Sequence, residues 1–553
     1  MPKLLIIGLD GATFDLIRPW AAQGKLPHLQ ALMDQGTWAP LQSTVPPMTS
    51  PAWPSFATGK VPSQHGVFDF VSARQGSFRV VNATDVDAAP LWDLLGAQGK
   101  RVGVINVPVT YPPHPVNGFM ISGLLSPTNA QVTYPDDLLS RYQDLEQPYR
   151  VMPAVQYKPG NERAFLQDLE ALIETRTAYA VRLMQDQPWD FLMVHILATD
   201  LVQHALWRHM DPDHPRHEPG NPYQDAIQGI YQKADAAIGR LLQEVDDETT
   251  VIVMSDHGFG PLHGVVNLNI LLWQAGLIKF KRTPLAQLRA FTFRHGLTPS
   301  TAYRWLARLG LQNIVARVSK SARNAVFDKF LSFSDVDWER SVAYSLGHMG
   351  QIYVNGQGGH PGAPPKHAPS AGDDEQTSDK EQGIDQVIDA LSTLTTPDGR
   401  PMLDLVVRQS ALPPGQHQDE GPDLHITLDG YRYISCPLFA TDGNVISRQI
   451  RGDSGSHRLH GILIARGPHV RRGSLLDEPQ IIDLAPTALH LMGCPVPTDM
   501  DGRVLTEILS PELRERAPEH AETPSLERQE QYVLSDAEQA ELEERLKGLG
   551  YLG

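Results

Sequence analysis

The sequence predicts an α/β fold with a mostly parallel central sheet, helices on both faces and a helical insertion. Apolar runs of strand length recur at Leu4–Leu9, Arg101–Val107, Phe191–Ile196, Thr250–Met254 and Gly461–Ala465. Stretches of helical character, including Ala164–Met184 and Asp225–Val245, lie between them. Carboxylates or imidazoles stand just after or at the ends of several of these runs: Asp10, Asp200 and Asp256–His257. A short uninterrupted apolar run is the pattern of a parallel strand buried on both faces. Strands alternating with helices give an α/β sheet, and ligands of such sheets gather at the carboxyl ends of the strands. The three polar pieces are therefore expected in one pocket.

A chain of 553 residues can hold a large core, and by length alone two or three domains are allowed. We expect residues 1–275 and 331–510 to form one catalytic α/β domain. Between them, Lys279–Lys329 carries eleven Lys or Arg against one acid, Asp328, in a protein of net charge −17. Its TAYRWLARLGLQNIVARV stretch has helical spacing, so 276–330 reads as a basic helical insertion or cap. Such a segment is either a solvated face or a surface that recruits an anionic substrate or a lipid surface. Residues 356–382, rich in Gly, Pro, Asp and Ser, read as a mobile loop. The tail, 511–553, ends in a helix starting at Ser535, where Glu538 completes a capping box and Leu542, Leu546 and Leu549 share one face that should dock on the body.

The overall negative charge argues against binding nucleic-acid polymers, which requires a basic surface. It does not argue against a small anionic substrate beside bound cations. Cys436 and Cys494 are the only cysteines, too few for a disulfide scaffold, although a bond between them is open. No stretch reaches the roughly 20 apolar residues of a membrane span. MPKLLIIGLDGATFD suits a buried first strand better than a secretory signal, and the expected compartment is the cytoplasm.

The chemistry lies in short pieces. Asp200 and His204, four residues apart, point to one side if a helix starts at Asp200, and a carboxylate and an imidazole one turn apart can bind one zinc ion; the alternative is a capping Asp and a surface His. His209 falls on a different face. In VMSDHGFG, Gly258 permits the sharp turn that lets Asp256 and His257 reach one ion; otherwise Asp256 bonds the backbone of a turn. Asp10, followed by Gly11, is a comparable ligand or an N-cap. Thr49 and Ser50 precede the apparent helix Ala52–Thr58, whose N-terminus presents free N–H groups to an anion. A hydroxyl there that also touches a metal loses its proton more easily, and which of the two is the nucleophile stays open. His457 sits in the glycine-bearing GDSGSHRLHG, His460 could also bind metal, and Arg458 could pair with a phosphate oxygen or with nothing but solvent.

Taken together, the pieces resemble the alkaline phosphatase superfamily, and within it the type I phosphodiesterase/nucleotide pyrophosphatase family. Asp10 after the first strand, Thr49 in a Pro-rich turn with Thr58–Gly59 beyond, Asp200 and His204, Asp256–His257–Gly258, and Gly455–His457 carry the resemblance, as does IIDLAPTALHLMG from Ile481. It spans about residues 3–508, without the basic insertion and the 356–382 loop. The resemblance implies an alkaline phosphatase-like fold and two divalent metal ions, zinc first and manganese second. One ion would be held by Asp200, His204 and His457, the other by Asp10, Asp256, His257 and the Thr49 oxygen. It implies hydrolysis of a small phosphate ester (a phosphodiester or nucleotide-like substrate) through a phosphothreonine on Thr49, with Ser50 and Arg458 as substrate-binding candidates. In the nucleotide pyrophosphatases an Asn three residues after the nucleophile contacts phosphate; here Ala52 stands there.

Phosphate monoesterase, phosphonate hydrolase and phosphomutase chemistry are alternatives within the superfamily. A sulfatase would need a Cys or Ser in a C-x-P-x-R-like sequence, which MTSPAWPSF does not provide. A non-catalytic, membrane-peripheral binding protein is the rival from another class; the complete set of seven metal-site residues argues against it. Oligomeric state is not readable from the chain.

Overall fold

The computed structural model describes residues 2–72, 79–298, 301, 308, 331, 333–355, 373–437, 439, 443–448, 453–524 and 530–549. Its centre is an eight-stranded sheet. In spatial order the strands are Thr37–Gln42, His460–Arg466, Thr249–Met254, Lys3–Leu9, Phe191–Ile196, Val102–Ile105, Gly118–Ile121 and Thr133–Tyr134. The five from Thr249–Met254 to Gly118–Ile121 run parallel, and antiparallel strands flank them on both sides. Leu4 to Leu9, Phe191 to Ile196 and Thr249 to Met254 are buried throughout, as expected for strands covered on both faces. One face packs under helices Glu162–Asp186, Ala198–Met210 and Ala226–Leu242, the other under Thr49–Thr58 and Leu484–Leu491.

The expected strands are all present, and the alkaline phosphatase-like mixed α/β architecture stands. Residues from Gly264 to Arg448 build a second, seven-stranded sheet with its own apolar core around Leu268, Ile352, Val387 and Leu424. It meets the rest of the chain through a shared apolar cluster, in which Met349 and Tyr431 join Met48, Val67 and Phe70, and through polar contacts. Gln351 Nε2 donates to Met48 Sδ (3.3 Å) and to Asp69 Oδ2 (3.1 Å).

Of the basic insertion, helix Pro284–Arg294 is described; most of the remainder to residue 330 lies outside the described residues. The loop expected over 356–382 needs correction, because Asp373–Ser392 is a helix. Ile384, Val387 and Leu391 are buried on one side of it, while its charged residues give the composition of a loop. Residues 356–372 lie outside the described residues. The C-terminal helix Asp536–Gly548 has the expected reciprocal capping box between Ser535 and Glu538, and Leu542 and Leu546 are buried. Cys436 and Cys494 are not joined in a disulfide. Among the described residues, no helix is long and apolar enough to cross a membrane.

One glycine fixes how the sheet meets the helix that begins at Thr49. A Cβ on Gly8 would lie 2.5 Å from Trp53 Cη2 and 2.9 Å from Met193 Cε, so only glycine lets the indole lie against this strand. Gly8→Ala should therefore cost about 1–3 kcal/mol, the usual cost of overpacking a filled core, read as a lower urea midpoint at unchanged slope. An unchanged midpoint would mean that Trp53 is not held there.

Candidate metal centre and nucleophile

Asp10 ends the first strand, Asp256 and His257 follow the strand Thr249–Met254, and Asp200 lies in the first turn of the helix after Phe191–Ile196. These three strands are neighbours in the sheet, so their ends bring the carboxylates together. His204 follows one turn after Asp200. His457 arrives differently: Gly258–Pro261 and Gly455–Arg458 form a short antiparallel ribbon in which Phe259 faces His457.

The side chains meet in a buried cluster. Ligand atoms of Asp10, Asp256 and His257 lie within 4.8 Å of one another, as do those of Asp200, His257 and His457. His204 Nε2 is 2.9 Å from His457 Nε2 and 3.4 Å from Asp200 Oδ1, and His457 Nε2 is 3.5 Å from that same oxygen. The rings of His257 and His457 stack at 3.6 Å, linking the two groups. Thr49, the first residue of helix Thr49–Thr58, places Oγ1 3.2 Å from His257 Nε2. All seven residues assigned to metal are thus in one place.

Two features show that this set fits cations. His257 Nδ1 donates to Gly258 O (3.0 Å) and His457 Nδ1 to Pro47 O (2.9 Å), since a carbonyl can only accept. Each imidazole therefore turns an Nε2 lone pair into the cluster, the arrangement common to metal-bound histidines. In addition, Asp10 Oδ1 and Asp256 Oδ2 are buried and accept no hydrogen bond, an arrangement that is costly for a carboxylate without a cation.

The electrostatics agree. Burial, with the charges of Asp256 and Asp200, raises the Asp10 carboxyl well above its ordinary value. Burial pushes Asp256 up to about 7. Asp200 is held well below its usual range, because the charges and hydrogen bonds of His204 and His457 outweigh its burial. Burial and the neighbouring His457 keep His257 neutral.

Ser50 is buried beside Thr49, and its Oγ has no hydrogen-bond partner. Arg458, expected to meet a phosphate, needs correction. Its guanidinium donates to the carbonyls of Tyr431, Ser456, His457 and Pro261, and burial together with Arg432 pushes it down to about 9. It ties the ribbon to the second sheet. His209 bonds Asn221 (3.1 Å), away from the cluster, and His460 is exposed.

Sequence reading missed the residues that hold Asp10. His195 Nε2 donates to Asp10 Oδ2 at 2.7 Å, and Trp53 Nε1 donates to the same oxygen at 3.3 Å. Burial lowers His195 to about 3, so it is a neutral donor. The available signal was an imidazole inside the otherwise apolar run Phe191–Ile196.

A model of the type I phosphodiesterase / nucleotide pyrophosphatase family matches residues 4–445. No curated protein sequence matches the chain. Phosphonoacetate hydrolase from Sinorhizobium meliloti 1021, solved with phosphonoacetate, superposes with TM-score 0.50 at 13% identity, covering 89% of this chain and 96% of that one. Human ectonucleotide pyrophosphatase / phosphodiesterase 5 gives 0.48 at 14% identity, covering 92% and 99%. The murine counterpart, an inactive form in complex with AMP, gives 0.49 at 15%, covering 92% and 100%. At these identities the phosphonoacetate hydrolase likeness speaks for the fold alone.

Because bound cations would offset three clustered carboxylates, chelator dialysis should lower the melting temperature by several degrees, and added zinc or manganese should restore it. Asp256→Asn should shrink that chelator-dependent shift. A melting curve indifferent to chelator and metal would remove the metal assignment.

Proposed function

We infer the reaction from a premise that the matched residues establish: the chain belongs to the type I phosphodiesterase / nucleotide pyrophosphatase family and is a phosphoric ester hydrolase. The substrate we propose is a small phosphodiester or nucleotide-like ester, and the nucleophile is Thr49. The observation that carries this reading is the position of Thr49 Oγ1, 3.2 Å from His257 Nε2 at the edge of the carboxylate–imidazole cluster.

Thr49 starts its helix, so its N–H and that of Ser50 have no partner within the helix and face the space in front of it. In the proposed reaction Thr49 Oγ1 attacks phosphorus as the P–O bond to the leaving alcohol breaks. The threonine proton leaves the site and the departing oxygen takes up a proton. Water then cleaves the phosphothreonine, releasing phosphate or its monoester and restoring the hydroxyl. Divalent cations bound by Asp10, Asp256 and His257, and by Asp200, His204 and His457, would supply positive charge to the phosphoryl oxygens and acidify the threonine hydroxyl; zinc is the metal we propose, with manganese second.

Ser50 answers the question raised by Ala52. Ala52 is buried and its N–H is used on Met48 O (3.0 Å), so it offers no donor to a phosphate. The hydroxyl of Ser50, buried and without a hydrogen bond, is the replacement we propose. It leaves Thr49 as the group beside the cluster.

Thr49→Ala should abolish hydrolysis of bis-p-nitrophenyl phosphate while metal content is unchanged. Ser50→Ala should keep the reaction but lower kcat/KM by about 100-fold or more, the usual effect of losing one charge-stabilising donor. Surviving turnover in Thr49→Ala, with loss in Ser50→Ala, would transfer the nucleophile to Ser50. Faster cleavage of p-nitrophenyl phosphate than of the diester would make the enzyme a monoesterase.

A further inference from the structure

A cavity of about 820 Å³ opens directly beside the cluster, with His204, Leu201 and Ala205 of one helix at its inner end. Its size is that of a small-molecule site. Much of the wall is apolar or aromatic: Tyr149, Met152, Val155, Tyr157 and Leu549 line it while only partly buried against the core. Its basic side chains are largely committed elsewhere. Arg150 is paired with Asp168 at 2.6 Å. Arg545 donates to Ser126 O (2.6 Å) and Thr128 Oγ1 (2.9 Å).

Those Arg545 bonds, with Glu541 accepting from Thr128 N at 2.9 Å, clamp the C-terminal helix to the 126–128 segment. The clamp sets Gly548 and Leu549 as one wall of the cavity. The last helix therefore belongs to the site as well as to the core.

The position of the cavity relative to Thr49 gives it a role. Contacts run from Thr49 Oγ1 to His257 (3.2 Å), from His257 to the stacked His457, and from His457 to His204 (2.9 Å). His204 is thus two imidazoles removed from the nucleophile along these contacts, and it is the residue of the cluster that lines the cavity. Phosphoryl transfer places the attacking and leaving oxygens roughly in line on opposite sides of phosphorus, so the leaving group of a phosphorus attacked by Thr49 extends away from Thr49.

We propose that this cavity receives the leaving alcohol of the substrate, that the alcohol has an aromatic or aliphatic body, and that the C-terminal helix limits its size. The proposal rests on the phosphate-ester reading above. Gly548 is the lever, because a Cβ there would come within 2.9 Å of the end of the Gln156 side chain, which also lines the cavity. A leucine at this position narrows the cavity from the helix side.

The test uses the full-length, metal-loaded protein and two esters of thymidine 5′-phosphate, one with p-nitrophenol and one with the larger 4-methylumbelliferone. The phosphoryl half is constant, so only the leaving alcohol differs. Gly548→Leu should lower kcat/KM for the methylumbelliferyl ester by about tenfold or more, the scale at which a pocket discriminates by volume, and leave the p-nitrophenyl ester within about threefold. Ala154→Leu, at an exposed position that also lines the cavity, should act in the same direction without touching the helix. Equal losses on both esters, or none, overturn the assignment. So does a wild-type preference for releasing pyrophosphate from a nucleoside triphosphate over either aromatic alcohol. Binding separates this proposal from the one on which it rests. If the wild-type protein hydrolyses neither ester, the phosphodiester reading has failed, and methylumbelliferone fluorescence titration of wild-type and Gly548→Leu protein still decides the cavity: tenfold weaker binding in the variant supports it, and equal affinity overturns it.

Discussion

Asp10, Asp200 and Asp256 are drawn by three adjacent parallel strands into a volume closed to water. Like charges at such distances raise one another's proton affinity, and the upward push on Asp10 and Asp256 is the sign of that conflict. Bound cations would relieve it, and the imidazole pair around Asp200 does so on its side of the cluster. Much of the surrounding structure follows from keeping these groups apart by the right few ångströms while denying them solvent.

The supporting contacts are local and specific. Asp10 is held from two sides by His195 and Trp53, and Trp53 can lie there only because Gly8 has no side chain. Gly11 is in the left-handed region (φ 63°), and a Cβ on it would come within 2.9 Å of Phe259 and 3.2 Å of Asp200. Phe259 in turn meets the rings of His204 and His457 edge-on. The chain thus turns back at Gly11 without displacing the ring that backs both imidazoles. Packing and chemistry are coupled here, so substitutions that change only volume should be felt at the carboxylates.

Two parts of the chain that are remote in sequence complete the surroundings. The second sheet approaches through Gln351 to Met48, the residue before Thr49, and through the carbonyl of Tyr431 to Arg458. The C-terminal helix joins the apolar cluster of Met48, Met349 and Tyr431 through Leu542 and Leu546 and is anchored by Arg545. Neither element supplies a ligand to the cluster. Each shapes the space into which a substrate would extend, which is where members of one fold differ most freely.

Sequence alone determined the strands, since burial on both faces demands uninterrupted apolar runs, and it singled out the carboxylates and imidazoles at strand ends that the fold gathers into one cluster. It also marked the final helix, whose Ser535–Glu538 box and leucine spacing are local signals. It misjudged residues 373–382, which open the helix Asp373–Ser392, because the apolar residues that bury this helix (Ile384, Val387 and Leu391) come only later in it. It likewise gave Arg458 to the substrate, because a guanidinium's partners are fixed by backbone carbonyls that come from other segments. Tertiary structure alone decided that His195 and Trp53 hold Asp10, that Ser50 is left with a buried free hydroxyl, and that the last helix walls a cavity at His204. These facts depend on distances between residues tens to hundreds of positions apart, and no periodicity or local motif encodes such distances.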